Sequence, residues 1–238
     1  MAISLDRTNE VFVLTMDDGE NRMNRPWLDA MNAALDEVDA APAPKALVTT
    51  GAGKFFSNGL DLEWLQSEGE HRGGDRGVFG AEFMALMGRI ITFPIPTVAA
   101  INGHAFGAGL MVALCHDVRV MRDDRGFACA NEMQIGFKIP TPELALFRHK
   151  LPANAFFETV QLSRRWTGPQ ALAAGVVQAT ADLDSLPGVA LARAKELAPL
   201  GANRELFAEQ KERLFGENAV LDGPHGAAHM LKHAADFR

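Results

Sequence analysis

Both a disulfide framework and a basic surface are missing from this sequence. The chain of 238 residues has only two cysteines, Cys115 and Cys129, which are too few to staple a fold. It carries 23 Lys and Arg against 30 Asp and Glu, a formal net charge of −7. Proteins that bind nucleic acid usually show the opposite excess. We therefore expect the two cysteines to be reduced thiols in the interior, and we expect no nucleic-acid partner.

A long uninterrupted hydrophobic run is missing as well. The segment 90–116 has no Asp, Glu, Lys or Arg, but two prolines and Gly103, Gly107 and Gly109 interrupt it before it could span a membrane. The first ten residues do not have the basic and apolar regions of a signal peptide. The last three differ from the peroxisomal Ser-Lys-Leu signal. The sequence therefore predicts a cytoplasmic protein with no membrane attachment.

The first half of the chain alternates short apolar segments with helical patterns. Apolar residues make up 47% of the chain, enough for a sizeable core. Branched and aromatic residues predict strands over 11–15, 46–50, 97–101 and 118–121. Asn24 and Pro26 are typical of a helix start between the first two strands. Strands separated by crossovers pair in parallel, which predicts an α/β fold.

Helical signals dominate after about residue 141. Prolines at Pro142 and Pro152 favour two helix starts, and apolar residues at helical spacing predict helices over 155–162, 169–174, 189–197 and 203–215. The remaining third of the chain is therefore predicted to be helical.

Two glycine-rich turns each follow a predicted strand. The first reads GAGKFFSNGLDL over 51–62, and its Gly-Lys pair does not have the spacing or the Ser/Thr of a phosphate-binding loop, since Phe55 follows Lys54. The second reads INGHAFGAGLM over 101–111 and opens a short apolar helix. A dinucleotide-binding turn is a remote alternative for it, because Val112 occupies the third glycine position. Two such turns can aim one backbone N–H each at a single carbonyl oxygen, forming an oxyanion hole.

These motifs resemble the crotonase superfamily, the enoyl-CoA hydratase/isomerase family. The segments GKFFSNGLDL and INGHAFGAGLMVALCHDVRV are similar to its two oxyanion signatures, and NEMQIG at 131–136 and TGPQALAAGVV at 167–177 follow in the family's order. The segment GENRMN at 19–24 and the compact length are similar to the Δ3,Δ2-enoyl-CoA isomerases. The resemblance implies a crotonase (ClpP-like) spiral of ββα units with a C-terminal helical region.

The resemblance also implies the site residues. The N–H groups of Leu60 and Ala108 would hold a thioester oxygen, and Glu132 would be the acid–base group. Coenzyme A would enter as part of the substrate, with no separate cofactor. The residues implied to contact it are Arg22, Met23, Lys54, Ser57, Asn58, Gly59, Leu60, Leu62, Gly107, Ala108 and Met111. Of these, Arg22 and Lys54 are the expected phosphate partners.

The acid–base residues favour one reaction over the others. Family hydratases commonly carry two glutamates, but Met111 stands at the first position, and only the second, Glu132, is kept. Moving a double bond from position 3 to position 2 needs proton removal at C2 and return at C4, which one carboxylate can perform. The sequence therefore predicts an enoyl-CoA isomerase. The alternatives are an enoyl-CoA hydratase (a lyase), a thioester hydrolase, or an acyl-CoA-binding protein without turnover.

The last part of the chain is expected to serve assembly. Residues 1–185 would form the acyl-CoA-binding core, and 186–238 a helical region for trimerisation, giving a homotrimer or a dimer of trimers as the resemblance implies. His225, His229 and His233 recur every four residues and would share one helix face. No Glu or Cys accompanies them in sequence, so we predict a solvated or subunit-contacting face and no metal site.

Overall fold

The computed structural model describes residues 3–71, 76–217, 219 and 223–237. Its strands, in chain order, are β1 (Ile3–Thr8), β2 (Val11–Met16), β3 (Ala46–Gly51), β4 (Phe55–Ser57), β5 (Thr97–Ile101), β6 (His104–Phe106), β7 (Val118–Arg122), β8 (Ala128–Cys129) and β9 (Ala179–Ala181). Its α-helices are α1 (Arg25–Ala40), α2 (Leu62–His71), α3 (Arg76–Ile91), α4 (Ala108–Cys115), α5 (Thr141–Lys150), α6 (Ala153–Val160), α7 (Gly168–Ala173), α8 (Leu186–Leu197), α9 (Arg204–Phe215) and α10 (Ala227–Lys232). Short 3₁₀ turns cover Glu132–Ile135, Ala198–Ala202, Gly223–His225 and Ala234–Phe237.

The strands form a large and a small sheet. The large sheet has the order β1-β2-β3-β5-β7-β9, with β1 antiparallel to β2 and the other neighbours parallel. The small sheet, β4-β6-β8, is parallel and is made by the segments that follow β3, β5 and β7. Three successive turns of the chain, β3–β4, β5–β6 and β7–β8, therefore each add one strand to both sheets, and the predicted α/β architecture is confirmed.

Alternate residues of the large sheet face two different apolar layers. One layer joins Val48 and Val98 to Ala190 and Ala194 of α8. The other joins residues such as Leu14 to α1, α3 and α4. Because strand side chains alternate between faces, the near-continuous apolar runs of these strands are explained by burial on both sides.

Four strands and the first helix confirm the sequence predictions. β2, β3, β5 and β7 begin where they were predicted to begin and extend at most one residue further. Asn24 is the N-cap of α1, and its side-chain oxygen accepts the N–H of Trp27 at 3.1 Å. The buried face of α1 carries Trp27 and Met31 at helical spacing.

The prediction of an all-helical segment after residue 141 was wrong at one place. β9 lies within it and pairs in parallel with β7. Three residues are too few to show a period of two, and their pairing depends on a strand far away in sequence. The helices α5 to α9 otherwise confirm the prediction.

The C-terminal helices pack on the core. α8 contacts β3, β5 and β7, while α10 contacts α3 and α5. No helix within the described ranges has the length and apolar character needed to cross a bilayer. The predicted division at residue 185 and the role of 186–238 in trimerisation stay predictions.

Candidate active site

Two buried asparagines stabilise the conformation of the first glycine-rich turn. Asn21 donates from Nδ2 to the carbonyls of Phe55 and Phe56, at 3.1 and 3.3 Å, and accepts the N–H of Asp18 at 2.8 Å. Asn102 accepts the N–H of Gly51 at 3.0 Å. These bonds fix the path of the chain from β3 through β4. Neither asparagine was predicted as a site residue, although Asn21 lies in the GENRMN segment.

The backbone of Met23 orients Leu60. The Met23 N–H donates to the Gly59 carbonyl and its carbonyl accepts the Asp61 N–H, both at 2.9 Å. In such a parallel bridge the intervening Leu60 N–H points to the opposite side. Among the described residues, no acceptor is bonded to it.

The second turn presents a helix N-terminus. Gly107, at φ +51°, is the N-cap of α4, and its N–H donates to the Cys129 carbonyl at 2.9 Å. The next N–H, that of Ala108, has no bonded acceptor in the part of the chain that the structure describes. The first N–H groups of a helix have no intrahelical partner and favour an oxygen anion.

The two turns approach each other closely. Gly59 has φ +84°, and a Cβ placed on it would lie 2.9 Å from the Phe106 carbonyl and 3.4 Å from the Ala108 nitrogen. A side chain there would collide with the second turn, so glycine is required for this approach. The turn that carries Leu60 and the turn that carries Ala108 are therefore in contact, as an oxyanion hole requires.

Glu132 lies over this junction. A Cβ placed on Gly107 would be 3.1 Å from Glu132 Oε1, so the carboxylate sits beside the residue that precedes Ala108. Its other oxygen, Oε2, is shielded from solvent and has no hydrogen-bond partner among the described residues. Burial raises the pKa of Glu132 above its ordinary value, partly offset by a bond from its own backbone. A carboxylate so placed is a stronger base than one in water.

Met111 provides no second carboxyl at the position where the family hydratases have one. It lies one turn into α4, is 2% exposed, and packs in the main apolar cluster. The start of α4 is consequently apolar on the side of this residue.

A second carboxyl group, that of Glu143, nevertheless lies near enough to Glu132 to be affected by its charge, and it was not predicted from the sequence. Glu143, in the first turn of α5, is 8% exposed. Its carboxyl has no hydrogen bond or ion pair to any residue that the structure describes. Burial, and then the negative charge of Glu132, raise the pKa of Glu143 to about 8. Its one sequence signal is a glutamate at the start of a helix, which is common on protein surfaces.

The expected coenzyme A contacts differ in how they are placed. Arg22 pairs with Glu20 at 2.7 Å, and Asn58 donates to the same carboxylate at 2.8 Å; these two bonds lower the pKa of Glu20. Lys54 is exposed, and none of the described carboxylates lies within ion-pair distance of it. Leu62 begins α2 and is 37% exposed. These positions could meet a ligand at the surface.

Two other expected contacts are interior residues. Met23 and Ser57 are fully buried. The Ser57 hydroxyl donates to the Asn21 carbonyl at 2.7 Å and accepts the Gly59 N–H at 3.1 Å. Their side chains therefore stabilise the first glycine-rich turn from the protein interior and are not exposed to a ligand at the surface.

An apolar surface adjoins Glu132. Met133 and Phe137 are 50% and 53% exposed and line a cavity of about 410 Å³ together with Ile139 and Leu144. The Glu132 carboxylate itself does not line this cavity. Exposed apolar side chains next to a half-buried acid suit an apolar ligand segment.

Comparisons with known proteins point to one family. The profile of the enoyl-CoA hydratase/isomerase family matches residues 6–215. The chain is 33% identical over 222 residues to peroxisomal enoyl-CoA delta isomerase 2 of Arabidopsis thaliana, covering 90% of this chain and 92% of that protein. It is 34% identical over 190 residues to a putative enoyl-CoA hydratase of Thermus thermophilus, covering 79% of this chain and 73% of that protein.

Solved structures share the fold. The crystal structure of a probable enoyl-CoA hydratase from Mycobacterium tuberculosis aligns with a TM-score of 0.83 and 30% identity, covering 98% of this chain and 92% of that one. The crotonase fold that the sequence motifs implied is thereby confirmed. With its two glycine turns in contact and its sequence matched along most of its length, the chain belongs to the enoyl-CoA hydratase/isomerase family.

Proposed function

We propose that this protein moves the double bond of a 3-enoyl-CoA to position 2. The observation that carries the proposal is the placement of the single glutamate kept from the family's pair. Glu132 lies against the Gly107–Ala108 turn, while Met111 is apolar. The 33% identity to a protein named enoyl-CoA delta isomerase supports the same reaction.

The proposed reaction uses one carboxylate and two backbone donors. Glu132 removes a proton from C2, and the electron pair moves onto the thioester oxygen. The N–H groups of Leu60 and Ala108 donate hydrogen bonds to that oxygen and stabilise the dienolate. Glu132 then returns a proton to C4, the double bond settles between C2 and C3, and the carboxylate is regenerated. No separate cofactor takes part.

The test is the Glu132→Gln variant assayed on a 3-enoyl-CoA in D₂O. Losing the base should lower kcat by about 10³-fold and suppress deuterium incorporation at C2 and C4 together. Glu205→Gln, at an exposed glutamate of α9, is the matched control and should retain full activity. Undiminished isomerisation by Glu132→Gln would show that another group is the base.

Glu143 favours a second candidate reaction, hydration of a 2-enoyl-CoA. A protonated carboxyl near a carboxylate base forms the kind of acid–base pair that adding water requires. The comparison is hydration against isomerisation in the unmodified protein and in Glu143→Gln. Hydration that exceeds isomerisation and disappears in Glu143→Gln would establish the hydratase instead. Tight binding of acyl-CoA esters with no proton exchange at C2 would identify a protein without turnover.

Assembly and location belong to the same proposal. We infer a homotrimer or a dimer of trimers, built through 186–238, with a cytoplasmic location. Its acyl-CoA ligand would be held by Leu60, Ala108 and a few cations such as Arg22 and Lys54. A chain with net charge −7 does not attract the anionic coenzyme A moiety as a whole, so its binding must be local. Mass measurement in solution checks the assembly.

A further inference from the structure

Three side chains with metal-binding atoms meet near the C-terminus, far from the glycine turns in sequence. They are Glu217, which follows α9, and His229 and His233 on α10 and at its end. One ligand atom from each lies within 4.8 Å of the other two. His233 Nε2 is 3.0 Å from Glu217 Oε1, and the two imidazole rings are 4.6 Å apart between centroids.

The structure corrects the reason for predicting no metal here. His225 does not share the helix face of the other two histidines, because it lies in the separate turn Gly223–His225. A carboxylate is provided by Glu217, twelve residues before His229 in sequence. Its ligand atom lies within 4.8 Å of those of the two imidazoles.

The imidazole of His229 has one ring nitrogen that is shielded from solvent. Its Nδ1 is shielded from solvent and has no hydrogen-bond partner among the described residues. A shielded polar atom without a partner costs free energy, so its presence calls for a ligand or a proton acceptor. The nearby cation Lys232 is engaged by Glu212, at 3.3 Å.

We propose that Glu217, His229 and His233 bind a Zn²⁺ ion. Two imidazole nitrogens and one carboxylate oxygen are ligands that zinc accepts, and zinc takes four ligands in tetrahedral geometry. The side chains of His233 and Glu217 are 43% and 49% exposed, which leaves room for water as the fourth ligand. The ion would replace the direct contact between His233 Nε2 and Glu217 Oε1.

Such an ion would link Glu217, two residues after the end of α9, to the histidines of α10 and its C-terminal end. Ala227, Ala228 and Leu231 of α10 are buried in the main apolar cluster, and the helix packs on α3 and α5. A ligand that binds only the folded arrangement stabilises it by mass action. The site would therefore be structural, and it does not depend on the proposed isomerase reaction.

The experiment adds ZnCl₂ to the full-length protein after treatment with a chelator and removal of the chelator. We expect one Zn²⁺ per chain by calorimetry and a rise in Tm of roughly 3 °C or more at saturating zinc. His229→Gln and His233→Gln should each weaken the Kd at least tenfold, and Glu217→Gln should weaken it less. His225→Gln, from the same segment but outside the cluster, should bind as the unmodified protein does.

Cobalt gives an independent reading of the geometry. Co²⁺ in a four-coordinate site with nitrogen and oxygen ligands should show intense visible absorption. Adding zinc should displace the Co²⁺ and abolish this absorption, and the His233→Gln variant should not show it. Absence of one-to-one zinc binding would overturn the proposal. Equal loss of binding in His225→Gln, or unchanged binding in both His229→Gln and His233→Gln, would also overturn it.

Discussion

At the scale of single residues, Glu143 is a buried carboxyl group with no counter-charge in the described parts of the chain. The folded protein holds its proton with a pKa of about 8, while the ordinary value is 4.5. The native state therefore binds more protons than the unfolded chain between these two pH values. Raising the pH across this interval lowers the free energy of unfolding, and the loss ends above about pH 8.

Glu143→Gln should remove this pH dependence. Glutamine has nearly the same shape and carries no charge at any pH, so nothing is lost when the pH rises. We expect the Tm of Glu143→Gln to equal that of the unmodified protein near pH 4.5 and to exceed it by roughly 5 °C at pH 8.5. Thermal unfolding followed by circular dichroism measures both. A constant Tm difference across this range would mean that Glu143 ionises freely in the folded protein.

At the scale of elements, the β3–β4 connection depends on Asn21. This residue has φ +51° and is buried, and its side chain bonds to the Asp18 N–H and to the carbonyls of Phe55 and Phe56 in β4. The chain continues from β4 to Leu60, one of the two donors proposed for the thioester oxygen. Movement of the turn would therefore misplace that donor without touching Glu132.

Asn21→Ala should lower both stability and turnover. Losing the three bonds leaves buried carbonyls of Phe55 and Phe56 without one of their donors, which costs about 1–3 kcal/mol. We expect a fall in kcat of about tenfold or more, since one oxyanion donor alone can contribute 10²-fold. Activity and Tm of the purified variant are the measurements.

The control for this variant is Asn9→Ala. Asn9 also has a left-handed backbone, φ +55°, but it is exposed in the turn between β1 and β2. It therefore isolates the cost of placing alanine in that conformation. If Asn9→Ala lowered kcat as much as Asn21→Ala, the hydrogen bonds of Asn21 would not explain the effect.

At the scale of the whole molecule, an ion pair between a buried lysine and a partly buried aspartate joins the C-terminal helices to the large sheet. Lys211 of α9 is 4% exposed, and its Nζ lies 2.8 Å from Asp117, which precedes β7. It also donates to the Ile95 carbonyl at 3.2 Å. Asp117 accepts in addition from the N–H and the hydroxyl of Thr97. The helices after residue 186 are therefore joined to the core through a polar contact in its interior.

Lys211→Ala should destabilise the protein strongly. Removing the lysine leaves the partly buried Asp117 charged and without this counter-ion, at a cost of about 3 kcal/mol, the lower end for a buried pair. For a chain of this size we expect a Tm lower by roughly 10 °C. Lys195→Ala, at an exposed lysine of α8, should change the Tm by less than about 2 °C. A Tm for Lys211→Ala as high as that of Lys195→Ala would contradict the anchoring role.

The elements predicted from sequence are those with a local signal. β2, β3, β5 and β7 are dense runs of branched apolar residues, and α1 has a cap, a first-turn proline and an apolar face. The small sheet and β9 were not predicted, because strands of two or three residues exist only through pairing with strands far away in sequence. Asn21 and Asn102 were not predicted as site residues for the same reason, since the backbone groups that they bond in the first glycine-rich turn lie 34 to 51 residues away in sequence.

The sequence by itself determined the glycine turns, the identity of Glu132 as a candidate base, and the family, because these are carried by residue types at fixed short spacings. The tertiary structure decided which distant groups meet: Glu132 over Gly107, Glu143 with no counter-ion, and Glu217 beside two histidines. The physical reason is that burial and charge act through space. A carboxyl group acquires its pKa, and an imidazole its ligands, from neighbours that the packing of helices and strands brings close.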